Sequence, residues 1–253
     1  MKSLKILSLP LLLLVASLYA LPQQTLRAQS SVPVQDPQTI VQVSTYDYFA
    51  AGNLDGTITL SELQTYGDYG LGTFDKTNGE MVEVEGKIYQ ATADGKVQIP
   101  DGTLKTPFAV VSFWEKAPST PITAGLTMDE LKQQIDKTAP DQDVFVSIRV
   151  EGTFATLKLR SVPEQTKPYP PLTEIVKNQV VFDLTNVNGT LVGVRSPAFS
   201  KGLNAVGYHF HFISTDRKVG GHVLDLTTGE ASLQFNEKPV WKILLPEYHA
   251  VVN

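Results

Sequence analysis

The segment Gly207-Tyr208-His209-Phe210-His211-Phe212 alternates imidazoles with aromatic rings. Only an extended strand, whose successive side chains point to opposite faces, sorts such a run into one polar and one aromatic face. A helix would scatter the same residues around its circumference. After the intervening residues 213–219 comes Gly220-Gly221-His222-Val223-Leu224-Asp225, which a second strand after a turn can lay opposite the first. The chain has 4 His and no Cys, and three of those His fall within residues 209–222. Disulfides are therefore excluded, and any metal must be held by His, Asp or Glu. Three neutral imidazoles beside an open position form the ligand set of a catalytic zinc, not of a closed structural one. Paired His on a β-face can also be plain surface polarity, but this concentration favours a metal site. A cupin-like oxygenase also uses His-x-His, yet it would place a Glu after a gap of three or four residues beyond the pair. Here those positions hold Thr215 and Asp216.

The remainder of the chain predicts an α+β (mixed α/β) fold rich in short strands, with few helices. Met81 to Val84 and Lys87 to Ala91 flank Glu85-Gly86 as a hairpin, and Val144 to Val150 and Thr153 to Arg160 flank Glu151-Gly152 as another. Phe108 to Trp114, apolar except for Ser112, reads as a strand buried on both faces. The clearest helix is Thr127 to Thr138. Thr127 and Glu130 make a capping box, Leu131 and Ile135 are spaced i,i+4, and Pro140 stops it. Gln179 to Leu184 and Gly189 to Val194 read as separate strands, and Val240 to Leu245 as a last one. Two β-rich lobes are expected, residues 38–140 and 141–253, with the metal site between them.

Net charge is -5 and no basic patch with interleaved aromatics occurs, which argues against nucleic acid as a partner. At the N-terminus, Lys2 and Lys5 precede a nearly unbroken apolar run from Leu7 to Leu21, short for a membrane span. Residues 1–28 are thus expected to be a signal peptide cleaved after Ala20 or Ala28, and residues 29–37 a linker. The mature chain is expected to be exported, periplasmic or extracellular, with no membrane attachment.

Several ordered blocks make the sequence similar to the alpha-acetolactate decarboxylase family over nearly the whole mature chain. They are Gly67-Asp68-Tyr69-Gly70-Leu71-Gly72-Thr73-Phe74-Asp75 with Gly79-Glu80-Met81; Thr106-Pro107-Phe108; and Arg160-Ser161-Val162-Pro163 with Lys167-Pro168-Tyr169-Pro170-Pro171-Leu172. Gly189-Thr190-Leu191-Val192-Gly193, the two His segments and Asp216-Arg217 complete the set. The resemblance implies a zinc enzyme that converts 2-acetolactate to acetoin and carbon dioxide, a two-lobed fold, and a homodimer. It implies that His209, His211 and His222 bind Zn2+, and that Glu80 and Arg160 are active-site residues. The family adds a glutamate from its C-terminal tail. Here the tail carboxylate is Glu247, closer to the last strand than the family's pattern places it, so that match stays open. The short tail leaves a second reading, a secreted metal-binding protein of the same fold with lost or altered catalysis.

Overall fold

The computed structural model describes residues 36–246. The expected signal peptide, most of the expected linker, and the tail with Glu247 and His249 lie outside the described residues.

In chain order the strands begin with β1 (Thr39–Val43), β2 (Ile58–Thr59), β3 (Tyr69–Thr73), β4 (Glu80–Val84), β5 (Lys87–Ala91), β6 (Val97–Gln98) and β7 (Lys105–Thr106). They continue with β8 (Ala109–Ser112), β9 (Thr120–Ile122), β10 (Phe145–Ser161), β11 (Val180–Ser196), β12 (Gly207–Ser214), β13 (Gly220–Lys238) and β14 (Val240–Leu244). The α-helices are α1 (Tyr46–Ala50), α2 (Leu60–Leu63), α3 (Met128–Thr138) and α4 (Leu172–Ile175). A seven-stranded sheet has the order β14-β1-β8-β3-β4-β5-β6, while β2 and β7 form a separate pair. The second sheet runs β10-β11-β12-β13-β9 and closes on itself, because β10 also pairs with β13.

The first sheet is covered on both sides, as the apolar run at Phe108 to Trp114 predicts. Val110 packs toward the second sheet, with Leu71, Val82 and Val192, while its neighbour Val111 packs the other way, with Met81, Ile88 and Leu63 of α2. Tyr69 ties the sheets together: its buried hydroxyl donates to Ile148 O at 2.6 Å. Inside the closed sheet, Phe154, Phe210 and Phe212 form a cluster with Leu131 and Ile135 of α3. That helix begins at the expected capping box, in which Thr127 and Glu130 satisfy each other's backbone N–H.

Two expectations need correction. The second predicted hairpin is one continuous strand, β10, and the pair of strands predicted between Gln179 and Val194 is one strand, β11. Gly152 is not a turn but a bend, at φ +151°, opposite Gly189 on β11 and Ala231 on β13. A Cβ at Gly152 would lie 2.3 Å from Glu230 O, so glycine is there to let β13 approach as the strands coil around the cluster. The two sheets do not take successive halves of the chain: β9 and α3 pack with the second sheet, whereas β14 pairs in parallel with β1 and so extends the first.

Alternation along β4 places Glu80 and Glu83 on opposite faces of the first sheet. Glu83 is fully buried, and neither of its carboxylate oxygens has a hydrogen-bond partner among the described residues. Burial, reinforced by the charge of Asp68, pushes its pKa up from 4.5 to about 8. The nearby Gln64 amide opposes this only weakly, because it donates to Gly86 O. A raised carboxyl pKa means that the unfolded chain loses this proton first. Its contribution to stability therefore falls as pH rises from 4.5 to about 8, by about 1.4 kcal/mol per pH unit. The three site histidines, depressed below 6.5, tilt the profile the other way, so Glu83 is isolated by difference. Glu83→Gln should match the parent near pH 4 in urea unfolding, gain on it up to about pH 8, and hold that gain above. A difference that does not change with pH would show that Glu83 is ionised throughout.

Candidate active site

Register assembles the site. On β12 and β13, His211 pairs with His222, and on β13 and β10, His222 pairs with Arg160. Directly paired residues share a face, so Arg160, His222 and His211 form a row across three strands, with His209 two residues along on the same face. That face looks toward the first sheet, and Phe210 and Phe212 point into the closed sheet, as the alternation predicts. Gly221 makes the close approach possible. It sits at φ +154°, and a Cβ there would lie 2.8 Å from Arg160 O.

The three rings are steeply inclined to one another, two pairs T-shaped and one tilted, with centroids 4.9, 4.9 and 5.3 Å apart. His209 Nε2 is 3.1 Å from both His211 Nε2 and His222 Nδ1. His211 Nδ1 lies 2.7 Å from Met81 O, to which it donates, and this leaves its Nε2 as a bare lone pair aimed at the cluster. Burial lowers all three pKa values: His209 to about 3, His211 and His222 well below the usual histidine value, with Arg160 and the neighbouring rings adding to it. The rings are therefore neutral at physiological pH, and His209 Nε2 and His222 Nδ1 converge on the lone pair of His211 Nε2. A cation resolves that arrangement, and among the described residues this is the group of three donors able to hold one.

The first sheet supplies the facing wall. Glu80, at the start of β4, accepts from Arg160 Nη1 at 2.5 Å across the gap, and its other oxygen lies 3.4 Å from His211 Nε2. Glu80 is thus on the same side of His211 as the other imidazoles. The position behind the ring, where a carboxylate that merely oriented this histidine would sit, is taken by Met81 O. Burial raises the Glu80 pKa and Arg160 opposes the rise. These groups open onto a cavity of about 170 Å³. Its far wall is apolar: Phe108 stacks on Phe49 at 5.2 Å and meets Tyr46 edge-on, with Leu172 of α4 beside them. Thr73 and Thr77 add hydroxyls, both already donating to backbone carbonyls. These wall residues come from five separate segments; Thr73, Phe108 and Leu172 fall in the family blocks, whereas Tyr46, Phe49 and Thr77 do not. The chemistry-bearing residues expected from the sequence are together here, except Glu247, which lies outside the described residues.

Residues 40–251 match the family described as Alpha-acetolactate decarboxylase. The chain belongs to that family. Its activity is accordingly that of a carbon–carbon lyase, acetolactate decarboxylation. An alpha-acetolactate decarboxylase of Methanosarcina mazei is 43% identical over 196 residues, covering 77% of this chain and 68% of the relative. One from Bacillus subtilis strain 168 is 36% identical over 220 residues, covering 87% and 85%. The crystal structure of alpha-acetolactate decarboxylase from that strain superposes with a TM-score of 0.81, over 83% of this chain and 90% of the other. The mixed, strand-rich fold is the one the family resemblance implies, and the candidate site lies between its two sheets.

Proposed function

We propose that this acetolactate decarboxylase depends on zinc, held by His209, His211 and His222, and that Arg160 and Glu80 handle the substrate's carboxylate and proton. The observation that carries the reading is the convergence of three neutral imidazoles on one point, walled by an Arg–Glu pair from two different sheets. Three nitrogen ligands and no thiol suit zinc with a position left for substrate. Bound zinc supplies Lewis-acid stabilisation of the oxygen charge that develops in the reaction.

The chain's own residues do the rest. One arm of Arg160 is engaged by Glu80, and its remaining N–H donors are free to grip the substrate carboxylate bidentately. That grip fixes the bond between carboxylate carbon and carbinol carbon relative to the neighbouring ketone. When the bond breaks, carbon dioxide leaves and its electron pair spreads onto the ketone oxygen as an enediolate. Glu80, between Arg160 and the imidazoles, takes up a proton from solvent before each turnover and then delivers it to one face of the carbinol carbon, which sets acetoin's handedness. The apolar wall excludes water from this exchange. No step requires Glu247.

The test is a metal titration. Purified protein should hold about one zinc per chain. Chelation should abolish acetoin formation, and zinc should restore it. Full acetoin production by metal-free protein would refute zinc dependence, while zinc-loaded protein that makes no acetoin would favour the metal-binding scaffold.

A further inference from the structure

The Arg160–Glu80 ion pair joins the two sheets, since Arg160 stands on β10 and Glu80 on β4. Both side chains are long and rich in rotamers, so a contact between them does not by itself fix the width of the gap they span. That width is set beside them. Ser161, which follows Arg160 and ends β10, donates its hydroxyl to Ala91 O of β5 at 2.8 Å. Ala91 is the direct partner of Glu80 on the neighbouring strand. Gly79, which precedes Glu80, donates its N–H to Val162 O at 3.1 Å. A Cβ at Gly79 would lie 2.6 Å from Ala91 O, so the missing side chain lets this turn close over the same carbonyl. Each member of the ion pair thus has a chain neighbour bonded across the gap.

Ser161 is fully buried and does not line the cavity, so it cannot touch the substrate. What it holds is one sheet against the other, at the place where the pair meets. A second serine tie between the sheets, Ser112 Oγ to Ser147 Oγ at 2.9 Å, stands near the opposite end of β10. It offers an internal comparison: the same chemistry and the same two sheets, away from the pair. The carboxylate gripped by Arg160 and the proton carried by Glu80 must be aimed at neighbouring atoms of one molecule. Such alignment is sensitive to displacements of about 1 Å. The separation of the sheets therefore bears on the rate more than on binding.

We propose that Ser161 is a positioning residue for the decarboxylation, whose bond to Ala91 O sets the sheet separation at which Arg160 and Glu80 face the substrate. The inference rests on the decarboxylase reading of this site, which acetoin formation by the parent checks independently. Ser161→Ala should lower kcat by about 10- to 100-fold, with little change in KM or in zinc content. Ser147→Ala, which removes the comparison tie, should lose stability in urea yet keep the parent's kcat. Ser161→Cys, a weaker donor of nearly the same volume, should fall between the parent and Ser161→Ala, and it carries the test if the alanine variant does not fold. In the Arg160→Lys background the geometry of the pair is already lost. There Ser161→Ala should cost little further, because residues that act through one contact are not additive. A kcat for Ser161→Ala equal to that of Ser147→Ala, or the same fold-loss in both backgrounds, would overturn the positioning role.

Discussion

His209→Ala and His222→Ala are each expected to leave purified protein without zinc and without measurable acetoin formation. In the proposed site three imidazoles hold the cation, and no fourth donor stands by among the described residues: Glu80 is already engaged by Arg160. Lewis-acid stabilisation is worth several kcal/mol, and each 1.36 kcal/mol is tenfold in rate, so activity should fall by about 10³-fold or more. The two residues report on different strands. His209 belongs to β12, braced by β11, whereas His222 lies between β12 and β10. Equal loss from both would place the metal at the meeting point of the strands. Zinc content and acetoin formation are measured together, with circular dichroism to confirm the fold. Normal values of both in either variant would remove that histidine from the ligand set.

Arg160→Lys separates metal binding from catalysis. Arg160 touches no imidazole through a hydrogen bond; it reaches across the gap to Glu80. The lysine variant should therefore keep its zinc. It should nevertheless lose activity, because an ammonium keeps the charge but not the planar fork that can hold Glu80 with one arm and a carboxylate with the others. Loss of one charged hydrogen bond costs about 1.5–3 kcal/mol, or about 10- to 150-fold if felt in the transition state. The loss should fall on kcat as well as KM, since a misplaced carboxylate misaligns the bond to be broken. A variant as fast as the parent would mean that the carboxylate is held elsewhere.

The sequence made some of this legible and hid the rest for physical reasons. The His-x-His alternation specifies a strand and a face by itself, because a period of two has one structural solution. The capping box at Thr127 and the hairpin at Glu85-Gly86 are local signals, and both elements form where those signals place them. Gly152 misleads for the same reason: a glycine that bends a long strand and one that reverses a chain look alike in sequence. Only the pairing of β10 with both β11 and β13 tells them apart. Glu80 and Arg160 stand out through family resemblance alone, since a lone Glu or Arg at the end of a strand is ordinary. Thr77 left no signal as a cavity residue, because it is placed there by an unusual backbone angle and by bonds that its neighbour Lys76 makes to Leu54 and Gln165.

The chain brings the parts of the site together over very different distances. His209 and His222 are 13 residues apart, whereas His211 finds Met81, next to Glu80, across 130 residues. The entropic cost of closing a loop grows with the logarithm of its length, so the second encounter costs about 2 kcal/mol more than the first. The imidazoles are therefore the kinetically local part of the centre, reached by zipping one hairpin, and the acid–base wall is the non-local part, which waits on docking of the two sheets. Substitutions that loosen the packing between the sheets should therefore disturb the acid–base wall before they disturb the metal ligands.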